Sequence, residues 1–416
     1  MQSETPYIER RTSAYRRANL ALFIAGFITF STLYDVQPLL PMLSAEFAVS
    51  PMVGSLVLSV STFALAWSLP ISGTLSDALG RRVLMATAVI LTALLALATA
   101  TSDSLYGLIV LRLVQGVVLA GVPAVAMAYL SEEISPRAVS TAMGLYIAGN
   151  AMGGMSGRML TTWIADLTSW RTAIGAIGAL SLILSLVFLA TLPRSRHFQR
   201  RPLRLRSLTA SLLGHLKNPK LRCLFAVAFL SMGSFVTLYN YVTFRLIEPP
   251  YSVDPSHVAW IFLSYAFGAF GSTLIGRMVD RIGRNKTIYF ALSVMVAGVM
   301  LTLLQPVIAI AAGIVIFTIG FFGVHAIASA WVGSQAETAR AQASSLYLFF
   351  YYLGSSLSGT GGGMFWGHWG WIGVVALILF LLIMATLAIV RLVSLTTASA
   401  SVQQSPGFSI LGESRR

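Results

Sequence analysis

Charged residues are scarce in this chain, and so are cysteines. Asp, Glu, Lys and Arg make up only 10% of the 416 residues, whereas roughly 25% is usual for a soluble domain. So few charges cannot coat a globule of this size, and 56% of the residues are apolar. The composition therefore excludes an ordinary water-soluble enzyme and predicts a membrane protein. The single cysteine, Cys223, excludes an intrachain disulfide.

Enzyme signatures are also missing. The chain contains none of the motifs His-Glu-x-x-His, Gly-x-Ser-x-Gly and Gly-x-Gly-x-x-Gly, and it has no Walker A loop. We therefore expect no enzyme activity, no cofactor and no metal site. Without a site for ATP, any transport by this chain must be driven by a gradient.

Long apolar runs fill most of the chain. Twelve windows of about 20 residues are long enough to cross a hydrocarbon core of about 30 Å. They lie at about 18–40, 53–72, 83–101, 105–130, 139–162, 170–192, 223–244, 257–278, 287–304, 307–331, 343–364 and 371–393. We expect an all-α integral membrane fold with twelve transmembrane helices.

Acidic residues are half as frequent as basic ones, 14 against 28, a balance that in a soluble protein suggests nucleic-acid binding. All but four of the basic residues fall in segments that alternating membrane crossings place on one side. The positive-inside rule assigns that side to the cytoplasm. The charge therefore predicts a multi-pass protein of a bacterial-type inner membrane with both termini cytoplasmic, and nucleic acid is excluded as a partner.

The chain is an internal repeat. Four short patterns of the first half recur in the same order about 200 residues later. They are Thr-Leu-Tyr-Asp at 32–35 and Thr-Leu-Tyr-Asn at 237–240, Gly-x-x-x-Asp-x-x-Gly-Arg at 73–81 and 276–284, Gly-Val at 121–122 and 323–324, and Leu-Tyr at 145–146 and 346–347. Because each half holds six spans, the repeat is parallel, and the fold is predicted as two pseudo-symmetric six-helix bundles.

These features divide the chain into five segments. They are a cytoplasmic N-terminal tail (1–17), an N-terminal bundle (18–192), a basic cytoplasmic linker (193–222), a C-terminal bundle (223–395) and a disordered cytoplasmic tail (396–416). The linker carries nine basic residues and no acid. It is interpreted either as a tether that fixes topology or as an amphipathic helix lying on the anionic lipid leaflet.

The chain resembles the major facilitator superfamily, in its twelve-helix drug/proton antiporter-like branch, over about 18–393. The loop that this family writes as Gly-x-Leu-x-Asp-[Arg/Lys]-x-Gly-Arg-[Arg/Lys] lies at 73–82, with Ala78 in place of the basic residue. The resemblance implies that Asp77 meets the start of the eleventh helix, near Ala343, and latches the outward-facing state. The alternative is that the loop only shapes a turn. The predicted gating residues of both copies are Gly73, Asp77, Gly80, Arg81, Gly276, Asp280, Gly283 and Arg284.

Two further patterns resemble this family. The fourth span carries Arg112-x-x-x-Gly116, and the fifth carries a motif that the family's antiporters write as Gly-x-x-x-Gly-Pro-x-x-Gly-Gly. Here the proline is Gly154 and the last glycine is Arg158, so the chain departs from the antiporter pattern at two positions. A glycine at every fourth position makes a smooth face for helix packing. The predicted packing glycines are Gly149, Gly153, Gly157 and Gly354.

Asp35 is the only acid inside a predicted span. A charge at that depth costs about 3 kcal/mol or more, so it needs a partner or a function. Counting residues from the helix starts places Arg112 in the same half of the membrane. We expect the two either to carry and tune a coupled proton or to form a static ion pair between the first and fourth helices. His325 is a further candidate for proton handling, with hydrogen-bonded packing as the alternative.

Aromatic and amide side chains are expected to line a cavity between the halves. Transporters built from such repeats bind near the bilayer midplane, and aromatic walls with a few amides suit amphiphilic ligands. The alternative is that these side chains pack the membrane core. The predicted cavity residues are Phe30, Tyr34, Gln37, Arg158, Phe235, Tyr239, Asn240, Tyr347 and Tyr351.

The sequence favours a secondary active transporter that exports small amphiphilic molecules in exchange for protons by alternating access. An alternative is a uniporter or proton symporter of a sugar or organic anion bound by Arg112 and Arg158. A membrane receptor that transports nothing is disfavoured, because no soluble output domain is expected. We expect a monomer whose partners are a small-molecule substrate, protons and membrane lipids.

Overall fold

The computed structural model describes residues 7–198, 200, 205–336 and 339–404, and these residues form an all-helical fold. Ten spans are separate segments: α1 (Ser13–Glu46), α2 (Pro51–Leu79), α3 (Arg81–Ala100), α4 (Leu105–Glu133), α5 (Val139–Leu167), α6 (Trp170–Thr191), α7 (Pro219–Ile247), α8 (Pro255–Ile282), α9 (Arg284–Leu301) and α10 (Val307–Gln335). The stretch Arg340–Gln404 holds α11 before Gly370 and α12 after it, because Gly370 leaves the helical conformation with φ 55° and ψ −143°.

Hydropathy and length support the predicted number of spans. Within the described residues, nine segments are long and apolar enough to cross a membrane, and the last of them contains both α11 and α12. The more polar helices α5 and α9 complete the set of twelve. The prediction of an all-α membrane fold with two six-helix bundles is confirmed.

The spans begin where the sequence supplies helix caps. Ser104 accepts a hydrogen bond from the Gly107 amide at 3.1 Å, and Ser169 accepts one from Thr172 at 3.1 Å. Asn218 caps α7 in the same way, and Pro219 follows it. A side-chain oxygen at the cap satisfies amide groups that have no partner inside the helix, and proline is favoured at the next position.

A separate helix, the linker helix (Leu205–Lys217), connects the two bundles. The Nε2 atom of its His215 lies 3.2 Å from the carbonyl oxygen of Ala339, just before α11. At the other end of the chain, the helix that contains α12 reaches Gln404, inside the segment 396–416 that the sequence predicts as a disordered tail. Residues 405–416 lie outside the described residues, so the prediction stays open for them.

Glycines let α1 pack closely against α5. A Cβ atom at Gly149 would lie 2.4 Å from the carbonyl oxygen of Phe23, and one at Gly153 would lie 2.3 Å from that of Phe27. The second half repeats the arrangement, because a Cβ at Gly354 of α11 would lie 2.0 Å from the carbonyl oxygen of Phe229 in α7. The α1–α5 and α7–α11 pairs therefore bring backbones into contact, as expected for small residues at membrane helix interfaces.

The two halves meet at the face opposite the start of α1. Trp163, near the end of α5, donates from Nε1 to the carbonyl oxygen of Ser256 at 3.1 Å. Its ring lies 5.4 Å from that of Trp260. Gly363 of α11 packs on Met52 of α2 so closely that a Cβ would approach the Met52 backbone to 2.5 Å. This conformation is closed at that face.

Candidate functional site

Helix α1 is interrupted at the depth of the predicted site. Its α-helix ends at Tyr34, a 3-10 turn covers Gln37–Leu39, and a short α-helix follows. Pro38 contributes to this break because it has no amide hydrogen to donate. The last carbonyl groups of an α-helix have no partner inside the helix. The break therefore offers backbone acceptors beside Asp35.

Arg112 of α4 donates hydrogen bonds to these carbonyl groups. Its Nη1 atom donates to the carbonyl oxygen of Thr32 at 2.8 Å and to Oδ1 of Asp35 at 3.2 Å, and Nη2 donates to the carbonyl oxygen of Leu33 at 2.5 Å. Neither charged side chain of this pair is accessible, with exposed fractions of 0% for Asp35 and 1% for Arg112. The structure brings these two predicted residues together, while their role stays a prediction.

The remaining donors of Arg112 connect it to the rest of the N-terminal bundle. Nε donates to the carbonyl oxygen of Val57 in α2 at 3.3 Å, and Nη1 also lies 2.6 Å from Oε1 of Gln115. Gln115 in turn donates to the carbonyl oxygen of Thr92 in α3 at 3.3 Å. Every guanidinium nitrogen of Arg112 thus has a partner inside the bundle. Arg112 is therefore poorly placed to bind a substrate.

The second oxygen of Asp35 has a different environment. Oδ2 is buried and has no hydrogen-bond partner among the described residues. Buried polar atoms are nearly always paired, so an unpaired carboxylate oxygen calls for an explanation. A proton on Oδ2 would break no existing hydrogen bond.

Arg158 of α5 lies at the boundary between the halves. Nε donates to Oε1 of Gln37 at 2.6 Å, and Nη1 donates to the carbonyl oxygen of Gly154, one turn earlier. The centre of the guanidinium lies 4.2 Å from the ring centroid of Tyr34 and 4.7 Å from that of Tyr265 in α8. The two departures from the antiporter glycine motif, Gly154 and Arg158, are therefore bonded to each other.

An amide pair joins the halves beside Arg158. The Nε2 atom of Gln37 donates to Oδ1 of Asn240 in α7 at 2.7 Å. Both side chains are fully buried. The repeat aligns Asn240 with Asp35, but the residue that contacts it is Gln37, because the turn after Tyr34 changes which side chains of α1 face the second half.

The predicted aromatic residues of the C-terminal half form one cluster. The ring of Phe235 lies 3.9 Å from Phe321 and 4.8 Å from Tyr239, and the Tyr239 hydroxyl lies 2.7 Å from Oγ1 of Thr318. Phe321 and Thr318 were missing from the sequence prediction, since α10 is apolar nearly all round and offers no pattern that singles them out. On the N-terminal side, Phe30 stacks on Tyr34 at 6.2 Å.

His325 belongs to the same cluster. Its Nδ1 atom lies 3.0 Å from the Tyr347 hydroxyl, and its ring lies 4.8 Å from Tyr351 and 6.2 Å from Phe321. These contacts are all with residues of the C-terminal bundle, whereas Asp35 and Arg112 lie together in the N-terminal one. The geometry is that of a hydrogen-bonded packing histidine, and its role in proton handling stays a prediction.

The predicted gating residues lie at the face where α1 begins. Arg81 pairs with Asp77 at 2.5 Å and with Glu132 at the end of α4 at 2.8 Å. Because its carboxylate is bound by Arg81, Asp77 is held within its own bundle in this conformation. The contact with Ala343 that the family resemblance implies stays a prediction. The second copy is arranged differently, since Arg284 donates to Oγ of Ser334 at 3.1 Å.

Glycines permit the turn in both copies. Gly80 and Gly283 have φ angles of 106° and 81°, which residues with a side chain rarely adopt. Gly73 and Gly276 are open, because a Cβ at either would meet nothing within 4 Å. Asp280 is exposed. The turn glycines are thus required by the backbone, whereas the open glycines are not.

The described residues form twelve spans in two similar bundles with a buried polar core between them, an architecture that suits a multi-pass membrane transporter, and comparisons with known proteins agree. The profile of the Major Facilitator Superfamily matches residues 22–359 and 246–412, so the chain belongs to this family. It is a transporter of small molecules and not an enzyme.

Similar proteins match most of the chain. The MFS-type transporter YybF of Bacillus subtilis (strain 168) is 47% identical over 360 residues, covering 86% of this chain and 89% of that protein. The inner membrane transport protein YnfM of Escherichia coli (strain K12) is 45% identical, covering 86% of each. A bacterial homologue of the human lysosomal transporter Spinster, solved in an inward-facing and unoccupied conformation, has a TM-score of 0.74 at 15% identity. That match covers 95% of this chain and 99% of the other, and it supports the fold alone.

Proposed function

We propose that this protein is a proton-coupled secondary transporter that exports small amphiphilic molecules across a bacterial inner membrane, with both termini in the cytoplasm. The observation that carries the proposal is the Asp35 carboxylate, which is fully buried, bonded to Arg112 through Oδ1 and unpaired at Oδ2. Ionisable residues inside transmembrane segments commonly form proton relays, because their burial is otherwise costly.

The surroundings of Asp35 are suited to two protonation states. When Asp35 is ionised, the nearby Arg112 compensates its charge. When Asp35 takes up a proton on Oδ2, Arg112 keeps its bonds to the carbonyls of Thr32 and Leu33. The proton therefore changes the charge of the site without removing all partners of the arginine. Alternating access would expose this carboxylate to each side in turn.

Purified protein in proteoliposomes tests the proposal. A growth screen of expressing cells against toxic compounds first supplies an amphiphilic substrate. We expect Asp35→Asn to abolish transport driven by a pH gradient while sparing the exchange of one substrate molecule for another, because exchange needs no net proton movement. Asp103→Asn is the matched control, since Asp103 is 96% exposed in a loop. If Asp35→Asn left pH-driven transport unchanged, the Asp35–Arg112 pair would be a structural contact without a role in coupling.

The direction of proton movement distinguishes antiport from symport. A pH dye trapped in the vesicles reports luminal pH after substrate is added outside. Exchange of entering substrate for leaving protons raises the luminal pH, and symport lowers it. If the luminal pH fell, the protein would be a proton symporter, which is the alternative function, and not an exporter.

A further inference from the structure

Arg158 is a buried cation that pairs with no acid in the part of the chain that the structure describes. Its exposed fraction is 2%, and no carboxylate of a described residue lies within 4.0 Å of it. Asp35, the one acid within the spans that the sequence predicts, is already paired with Arg112. A buried charge is normally paired, so the electrostatics of this site are incomplete. An anion beside Arg158 would balance its charge.

One edge of the Arg158 guanidinium keeps an unused donor. Nη1 is used by the carbonyl oxygen of Gly154, whereas Nη2 makes no hydrogen bond to a described residue. Nε and Nη2 form the edge that binds a carboxylate through two parallel hydrogen bonds. In this structure a neutral amide oxygen, from Gln37, holds only Nε. A carboxylate that displaced Gln37 would gain both bonds and neutralise the charge.

The walls of the site are aromatic. The guanidinium lies against Tyr34 of the N-terminal half and Tyr265 of the C-terminal half, and Phe262 lies at 5.7 Å. Such walls favour a ligand whose anionic group is attached to a flat apolar body, and they disfavour a small hydrated ion. Contributions from both halves place the site at the boundary across which alternating access operates.

Displacing Gln37 has a second consequence. The same side chain donates to Asn240 of α7 at 2.7 Å, so it connects Arg158 with the C-terminal half. An anion on Arg158 would remove the Gln37 oxygen from its partner and leave the amide free to turn away from Asn240. Ligand binding would thereby weaken a bond between the halves.

We propose that Arg158 binds the carboxylate of a small aromatic organic acid, which displaces Gln37 and loosens the Gln37–Asn240 contact. This inference rests on the proposed transport function, since it names the class of substrate. The binding step itself requires no proton gradient, so it can be measured separately from coupling.

Equilibrium binding of radiolabelled benzoate to the full-length protein in detergent tests the site. We expect saturable binding that unlabelled 1-naphthoate displaces and that benzyl alcohol and inorganic phosphate do not. Arg158→Gln should weaken benzoate binding by about tenfold or more, because a charge-assisted pair is lost. Arg277→Gln, which removes a positive charge from an exposed position of α8, should bind as the wild type does.

A second variant distinguishes competition from damage. Gln37→Ala removes the residue that the anion must displace, so benzoate should bind about threefold tighter or more. Loss of folding cannot produce a gain in affinity. Elution of each variant as a single species in size-exclusion chromatography confirms that it folds.

Three results would overturn the inference. They are equal displacement by benzyl alcohol or phosphate, wild-type affinity in folded Arg158→Gln, and no gain of affinity in folded Gln37→Ala. If pH-driven transport of amphiphiles persisted without benzoate binding, the substrate class would be wrong and the proposed function would stand. If benzoate bound but no pH-driven transport occurred, the substrate class would stand and the proposed function would be wrong.

Discussion

Gln37 of α1 and Asn240 of α7 are joined by a hydrogen bond of 2.7 Å between two fully buried amides. The bond crosses from one bundle to the other beside the only interruption of α1. Trp163 and Ser256 form a second contact between the halves, nearer the face where they meet. Together these contacts hold the halves closed at one end.

Replacing Asn240 tests this arrangement. We expect Asn240→Leu to open the closed face more often, because the amide of Gln37 loses its acceptor and a leucine cannot replace it. A cysteine introduced by Met52→Cys, in a Cys223→Ser background, should then react faster with a maleimide, by about twofold or more if one hydrogen bond is lost. Thr386→Leu, on α12, is a control for an added apolar side chain in the membrane. An unchanged rate in Asn240→Leu would show that the amide pair does not hold the face closed.

Removal of Arg112 is expected to destabilise the N-terminal bundle strongly. Arg112→Gln removes the charge that compensates the buried Asp35 and also leaves carbonyls of α1 and α2 without their donor. Breaking a buried pair in this way costs about 3–5 kcal/mol in proteins generally. The measurement is the temperature at which half of the detergent-solubilised protein is lost from the monodisperse fraction.

A double variant separates the charge from the hydrogen bonds. Adding Asp35→Asn to Arg112→Gln removes the uncompensated carboxylate, so the double variant should be more heat-resistant than Arg112→Gln alone. Equal or lower heat resistance of the double variant would contradict an electrostatic interaction between the two side chains.

Gly153 is expected to tolerate no side chain. A Cβ there would lie 2.3 Å from the carbonyl oxygen of Phe27, so Gly153→Ala forces α1 and α5 apart. Separation breaks the tight packing on which membrane helix association depends, and we expect reduced yield and lower heat resistance. Gly144→Ala is the matched control on the same helix, because a Cβ at Gly144 meets nothing within 4 Å. Similar behaviour of the two variants would show that α5 does not depend on this contact.

Much of the architecture could be predicted from the chain because the bilayer restricts the choices. Backbone groups in lipid must be paired within a helix, so long apolar runs can be counted as spans. The patterns shared by the halves, such as Thr-Leu-Tyr near 32 and 237, reveal the duplication without any structure. Depth along a helix also suggested that Asp35 and Arg112 are neighbours, and the structure places them 3.2 Å apart.

The chemistry around Arg158 could not be predicted in the same way. Its partners Gln37, Gly154 and Tyr265 come from three helices, and no local pattern records which faces of those helices meet. Periodicity is uninformative where helices are apolar nearly all round, so Phe321 was also missed. That no acid of the described residues lies beside Arg158 is a property of neighbours in space, which a list of charges does not reveal.

The sequence by itself determined that the chain is a duplicated bundle of membrane helices with one acid inside its apolar windows, because hydropathy, charge placement and repetition act along the chain. Only the tertiary structure decided that the donors of Arg112 are used by α1 and its neighbours and that, within the described residues, no acid pairs with Arg158. Both outcomes depend on how the turn after Tyr34 rotates the side chains of α1 toward other helices, and that rotation is set by packing rather than by composition.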